Sequence, residues 1–167
     1  MKTFAAILLC LSFLLVSCKT GVNAPIGEEE FQYGVPPGGV PKHPEHGMEV
    51  WFAYGAMEGI EEEPASGVAQ AHRFEDGSYL HTVQLNIAIP PDGYFYEGWL
   101  EKIDGSGRRT TGHLSNARGD TRHGLRFETD DEMRGHLRVL VTLEKDDGNP
   151  APGEFVAEGT MKITVRP

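Results

Sequence analysis

Residues 68–89 decide the predicted fold, and they read VAQAHRF, then EDG, then SYLHTVQLNIAI. Apolar residues occupy every second position from 83 to 89, which is the period-two pattern of a strand that buries one face. Asp76-Gly77 lies between the two runs and is a strong signal for a tight hairpin. The stretch therefore predicts two antiparallel strands, residues 68–74 and 78–89.

The same alternation continues on both sides of this hairpin. Four further runs have one polar and one apolar face, and turns rich in Gly, Asp and Pro separate them. They are residues 94–103, 109–114, 136–144 and 155–165. No segment shows the stripe of an amphipathic helix, although residues 50–57 are ambiguous. Such strands are typical of antiparallel sheets, so we predict an all-β fold over residues 48–167, an antiparallel immunoglobulin-like β-sandwich of about seven strands.

Residues 18–47 are predicted to be a disordered tether in front of that domain. The segment contains EEE at positions 28–30 and GVPPGGVP at positions 34–41. Proline blocks both helix and central strand, and too few apolar residues recur to bury a face. We expect such a segment to hold the domain some tens of ångströms from a membrane.

Residues 1–17 have the features of a secretory signal peptide. Lys2 precedes a continuous apolar run, residues 4–16, which is short for a membrane-spanning helix. The run ends in LVSC, residues 15–18, which resembles the bacterial lipobox. The resemblance implies that Cys18 receives a diacylglyceryl group on its thiol and becomes the acylated N-terminus after cleavage. The alternative is an ordinary secretory signal in which Cys18 is incidental.

Cysteine content and charge narrow the functional classes. Cleavage before Cys18 leaves no other cysteine, because Cys10 lies in the removed segment. It changes the formal net charge from −10 to −11, because Lys2 is the only charged residue removed. An acidic chain repels nucleic-acid phosphates and anionic lipid headgroups. We therefore expect no disulfide, no thiolate site, no nucleic-acid partner, and membrane attachment through the lipid alone.

Two blocks of sequence are more specific than alternation. The first is PPDGYFYEGWL, residues 90–100, followed by TGHL at 111–114, and the second is VTLE, residues 141–144. They resemble the extracytoplasmic C-terminal domain of anti-sigma-K-type factors over residues 65–165. The motif residues are Tyr96, Glu97, Trp99, Leu100, Gly112, Thr142 and Glu144.

The resemblance implies a small β-sandwich outside the cytoplasm that senses or contacts proteins and carries no catalysis. The alternative is that the motif residues serve only the fold. The family also has a cytoplasmic sigma-binding domain and a transmembrane helix, and we expect neither in this chain. The regulatory role therefore does not follow from the shared domain.

The best candidate for a metal site is HPEHGM, residues 43–48, which places His43, His46 and Met48 close together. Imidazole with thioether suits copper, and imidazole with carboxylate suits zinc. The alternative is a solvated polar segment, because a Pro/Gly-rich tether provides little of the rigidity that a metal site needs. We predict no metal site and no cofactor beyond the lipid, and keep these three residues as weak candidates.

Together these features predict a lipoprotein of the cell envelope, on its periplasmic or cell-surface face. We predict no enzymatic activity, since no nucleophile or carboxylate pair lies in a catalytic context. The β-sandwich is expected to sense or bind an unidentified envelope protein. The alternative function is metal handling, with copper or zinc bound by the tether histidines.

Overall fold

A computed structural model describes residues 39–164, and this range contains ten β-strands and no helix. The strands are β1 (Lys42–His43), β2 (Gly47–Gly59), β3 (Ser66–Phe74), β4 (Tyr79–Asn86), β5 (Tyr94–Glu101), β6 (Arg109–His113), β7 (Arg122–Thr129), β8 (Arg138–Lys145), β9 (Glu154–Thr160) and β10 (Lys162–Ile163). All pairings are antiparallel, so the predicted all-β antiparallel fold is confirmed. The predicted signal peptide, Cys18 and the tether up to residue 38 lie outside the described residues. The described residues form no helix that is long and apolar enough to cross a membrane.

Within this range, eight strands form one continuous path in the order β6-β5-β8-β9-β2-β3-β4-β7. The two end strands approach each other, because Ser115 exchanges two backbone hydrogen bonds with Gly124 of β7 (2.7 and 2.9 Å). The sheet therefore curls almost into a barrel around one hydrophobic core. β1 and β10 are two-residue strands that add to β2 at different points. These short additions account for part of the difference from the predicted seven strands.

The hairpin that decides the predicted fold is present. β3 and β4 pair from Ser66 opposite Asn86 to Arg73 opposite Tyr79, and Gly77 in the turn has a φ of +92°. Alternate residues of β4 face the core, as the periodicity predicts. β4 ends at Asn86, so Ile89, which was predicted on the same face, is exposed.

The ambiguous residues 50–57 lie inside β2, a strand of 13 residues. Its inward positions include Ala53 and Gly55, which are too small to produce a clear apolar alternation. Small residues are needed there because the segment between β9 and β10 passes very close to β2. A Cβ on Gly55 would lie 2.3 Å from the carbonyl oxygen of Thr160. β2 thereby pairs with four strands, β1, β3, β9 and β10.

Residues 41–48, which we call the N-terminal hairpin, belong to the folded domain. β1 pairs with the start of β2, and the Glu49 N–H donates to the Pro41 carbonyl (2.9 Å). Gly47 has a φ of +81°, which glycine adopts without steric cost. Residues 41–47, which were predicted to be the end of the tether, are therefore part of the folded domain. Composition suggested a solvated segment there, whereas His43 is buried against the sheet.

Candidate functional site

The N-terminal hairpin brings two of the three weak metal candidates together on the outer face of β3. The His43 and His46 rings stack with their centroids 4.4 Å apart. Both rings contact Phe74, at centroid distances of 5.2 and 5.6 Å. The ring of Phe74 thus provides the apolar surface on which this part of the chain folds, and the expected solvated segment is wrong for these two side chains.

His46 lies between two carboxylates from separate elements. Its Nδ1 is 2.8 Å from Oδ2 of Asp76 in the β3–β4 turn, and its Nε2 is 2.8 Å from Oε1 of Glu128 in β7. Asp76 is held in place by Ser78, whose backbone N–H and hydroxyl both donate to its Oδ1 (2.9 and 2.6 Å). We call His46, Asp76 and Glu128 the His46 bridge.

The groups around the His46 bridge shift the pKa values of the two imidazoles in opposite directions. Burial lowers the pKa of His46, but hydrogen bonds and charge from Asp76 and Glu128 outweigh it and raise the pKa above its ordinary value. Burial, then the charges of His46 and Arg126, lower the pKa of His43. Hydrogen bonds from Ser78 lower the pKa of Asp76 to about 2. The site therefore favours an imidazolium at position 46 beside a neutral imidazole at position 43.

Met48, the third weak metal candidate, contacts the same turn through its backbone, whose N–H donates to Oε2 of Glu75 (3.1 Å). Within residues 39–164, no group of three or more His, Cys, Asp or Glu side chains is arranged to hold a metal ion. Both ring nitrogens of His46 face carboxylate oxygens. Metal handling through these residues therefore remains the untested alternative that the sequence offers.

Several family-motif residues lie in or beside the core. Tyr96 and Leu100 are buried on the inward face of β5. Glu97, on the opposite face, accepts a short hydrogen bond from the Thr110 hydroxyl of β6. Gly112 has a φ of +100°, where a larger residue would be strained. These positions stabilise the β5–β6 pair.

The remaining motif residues form a hydrogen-bonded chain on the outer face of β5 and β8. The Trp99 indole N–H donates to the Thr142 hydroxyl (2.8 Å), which in turn donates to Glu144. Glu144 also accepts the backbone N–H of Gly153, just before β9 (2.8 Å). All three motif side chains are buried. The chain satisfies polar groups that would otherwise be costly to bury, so its clearest role is in the fold.

A buried carboxylate that the sequence does not reveal lies at the end of β5. Glu101 is fully buried and accepts hydrogen bonds from Arg108 (2.9 Å) and Arg138 (2.7 Å). Arg138 also binds Glu158 of β9 (2.8 Å). Partners so far apart in sequence leave no local motif, and only the pairing of β5, β8 and β9 brings them together.

A surface cleft of about 670 Å³ lies beside β2 where the chain passes from β9 to β10. We call it the β10 cleft, and its side chains are Tyr54, Ala56, Glu58, Glu158, Lys162 and Ile163. A second hollow of about 230 Å³ shares Ile163 and Thr164 with it. The sequence contains no signal for this site, because its β2 wall comes from the ambiguous residues 50–57.

The β10 cleft combines an exposed aromatic ring with charged side chains. Tyr54 is 49% exposed, and Phe52 stacks on it at 5.7 Å with an angle of 17° between the rings. Ile163 is 57% exposed. Apolar and charged groups that line one concave surface are typical of binding sites.

The described residues thus offer two sites of different chemistry. The His46 bridge can gain and lose a proton, and the β10 cleft can bind an apolar group next to a charged one. No protein-family model, curated protein or solved structure matches the chain.

Proposed function

We propose that the chain is a lipid-anchored protein of the bacterial cell envelope whose β domain binds a partner protein, without catalysis, through the β10 cleft. Three features support the proposal: the lipobox-like LVSC at residues 15–18, the two anti-sigma-K-like blocks, and the cleft. The cleft is the observation that carries the binding role. It is concave, the aromatic residue Tyr54 lines it, and it lies beside strand β2.

The chemistry of the β10 cleft favours a partner segment that carries one apolar and one basic side chain. Tyr54 provides apolar contact, which gives much of the affinity at the centre of an interface. Glu58 borders the cleft and is followed by the exposed acidic residues 61 and 62. The chain is acidic overall, with a formal net charge of −10. Opposite charge on the partner would speed association and orient it.

Site-specific cross-linking tests this role in the full-length, lipidated chain in its native envelope. A photoreactive phenylalanine replaces Tyr54, and a second chain carries it at Tyr94, an exposed residue of β5. We expect a discrete protein adduct from position 54 and none from position 94. Glu58→Lys in the position-54 chain should weaken the adduct. Glu154→Lys, at the exposed start of β9, is the matched control and should not weaken it.

Salt provides the second readout of the same adduct. Its yield should fall as ionic strength rises from about 0.01 M to about 1 M, because the Debye length shortens from about 30 Å to about 3 Å. Equal adduct yields from both positions would rule out the cleft as the contact surface. So would an adduct whose yield changes with neither Glu58→Lys nor salt.

The lipid anchor is tested separately by incorporation of radiolabelled palmitate. We expect the wild-type chain and a Cys10→Ala variant to carry label, because Cys10 lies in the segment that is removed. Cys18→Ala should carry none, because both the thiol-linked and the amine-linked acyl chains are attached at this residue. Label retained by Cys18→Ala would show that the anchor lies elsewhere.

A further inference from the structure

The His46 bridge lies where the predicted tether meets the folded domain. Residues 41–48 pair with β2 only at the start of that strand, through β1. Across the outer face, the hairpin is held by ring contacts to Phe74, by the Glu75 side chain and by the His46 bridge. The backbone N–H of Glu75 also donates to the Met48 carbonyl (3.0 Å), so main-chain and side-chain contacts together hold the hairpin in place.

The two imidazoles of the hairpin need opposite protonation states. The backbone N–H groups of Glu45 and His46 both donate to Nδ1 of His43 (3.2 Å each), so this nitrogen must be unprotonated. Nδ1 of His46, by contrast, is hydrogen-bonded to Asp76, and its Nε2 lies at ion-pair distance from Oε1 of Glu128 (2.8 Å). A neutral ring would place an unprotonated nitrogen against one of these carboxylates, whereas the imidazolium is attracted to both.

We propose that the His46 bridge is a proton-dependent latch that holds the N-terminal hairpin against the β3–β4 turn and β7, and releases it when His46 loses its second proton. The inference does not depend on the β10 cleft or on the lipid. Its consequence is mechanical: release frees about seven residues, which add about 20 Å to the reach of the predicted tether.

The direction of the pH dependence follows from the groups that face His46. They are His43 and Glu45 of the hairpin, Glu75 and Asp76 of β3 and its turn, and Arg126 and Glu128 of β7. Because the folded hairpin raises the pKa of His46, docking gains stability below the ordinary pKa of 6.5 and loses that gain as the pH rises through the raised value. The docked hairpin lowers the pKa of His43, so docking also weakens as the pH falls below the ordinary pKa of 6.5, where the released ring takes up a proton first. Docking is therefore strongest near the ordinary histidine pKa of about 6.5.

Hydrogen–deuterium exchange of the full-length chain in detergent micelles measures this docking directly. The readout is the protection factor of a peptide that contains residues 46–49, corrected for the intrinsic pH dependence of exchange. Above the ordinary histidine pKa of about 6.5, and up to about pH 8, protection should fall as the pH rises. The protection factor should fall by up to about tenfold for each unit by which the bridge raises the pKa of His46. The peptide from β8, residues 138–145, should not change.

Three variants separate the latch from a general effect of pH. His46→Gln cannot become charged, so its hairpin should show low protection that does not change with pH over this range. Glu128→Gln leaves the Asp76 contact in place, so the hairpin should still dock but lose protection at a lower pH than wild type. His113→Gln, at an exposed histidine of β6, should behave as wild type. Over this range, wild-type protection that stays constant or rises with pH, or a fall in protection that survives in His46→Gln, would overturn the proposal.

Discussion

His81 on β4 places an ionisable ring in the centre of the hydrophobic core. Its side chain is fully buried, and its Nδ1–H donates to the Gln70 carbonyl (2.9 Å). Its Nε2 has no hydrogen-bond partner among the residues the structure describes. Burial lowers the pKa of His81 to about 4, because a charged imidazolium cannot be solvated there. The folded chain therefore keeps this ring neutral under conditions in which the unfolded chain would protonate it.

This burial predicts a loss of stability in mild acid. The unfolded state binds a proton at His81 below about pH 6.5 and the folded state only near pH 4. The free energy of unfolding should therefore fall by about 3 kcal/mol between these values and then level off. His81→Gln, which cannot charge, should remove that part of the pH dependence. Urea unfolding at a series of pH values measures it.

The matched control for this titration is His113→Gln, because His113 is exposed. It should keep the wild-type fall in stability, because His81 is unchanged in this variant. If wild type and His81→Gln differed in their free energy of unfolding by the same amount at neutral pH and near pH 4, His81 would not be the cause of the pH dependence.

At the residue scale, the sequence identifies side-chain types more readily than their partners. His43 and His46 stand out in HPEHGM, and local spacing favoured a metal site or a solvated segment. The partners that define the environment of His46, Asp76 and Glu128, lie 30 and 82 positions further along the chain (76 − 46 and 128 − 46). No local pattern connects them, because their proximity comes from the pairing of β3, β4 and β7.

At the scale of single elements, the β3–β4 hairpin was predictable because its determinants are local. Alternation selects the strands, and Asp76-Gly77 supplies a residue that tolerates the φ of +92° at the turn. β2 was ambiguous because two requirements conflict in it. Two of its inward positions, Ala53 and Gly55, are small where the chain passes from β9 to β10, so they lack the large apolar side chains by which a strand is recognised.

Gly159 tests this account of the β2–β9 contact. A Cβ at position 159 would lie 2.4 Å from the Ala56 carbonyl oxygen and 2.6 Å from Sδ of Met57. The backbone oxygen cannot move aside without separating the strands, so Gly159→Ala should reduce the free energy of unfolding by about 1–3 kcal/mol. Chemical denaturation followed by circular dichroism measures the change.

Gly135→Ala provides the control for that substitution. No atom lies within 4 Å of a Cβ built at position 135, so stability should stay within about 0.5 kcal/mol of wild type. Equal effects of the two substitutions would mean that close approach at Gly159 does not limit the packing of β9 on β2.

At the scale of the whole domain, one continuous sheet predicts one cooperative unfolding transition. Trp51 of β2 and Trp99 of β5 lie on opposite sides of β8 and β9 in the strand order. In each single-tryptophan variant, Trp51→Phe and Trp99→Phe, the fluorescence midpoint should coincide with the midpoint from far-ultraviolet circular dichroism. Midpoints that differ within one variant would show that the two halves of the sheet unfold separately.

Local periodicity and turn chemistry were enough to predict the all-β class, the antiparallel pairing and the β3–β4 hairpin, because each depends on residues close together in the chain. The curling of the sheet, the docking of residues 41–48, the Glu101 ion pairs and the β10 cleft depend on strands that are distant in sequence. Register and strand order bring these groups together, and neither is encoded in a single segment. The lipobox-like signal at Cys18 remains the feature for which the sequence alone provides the evidence.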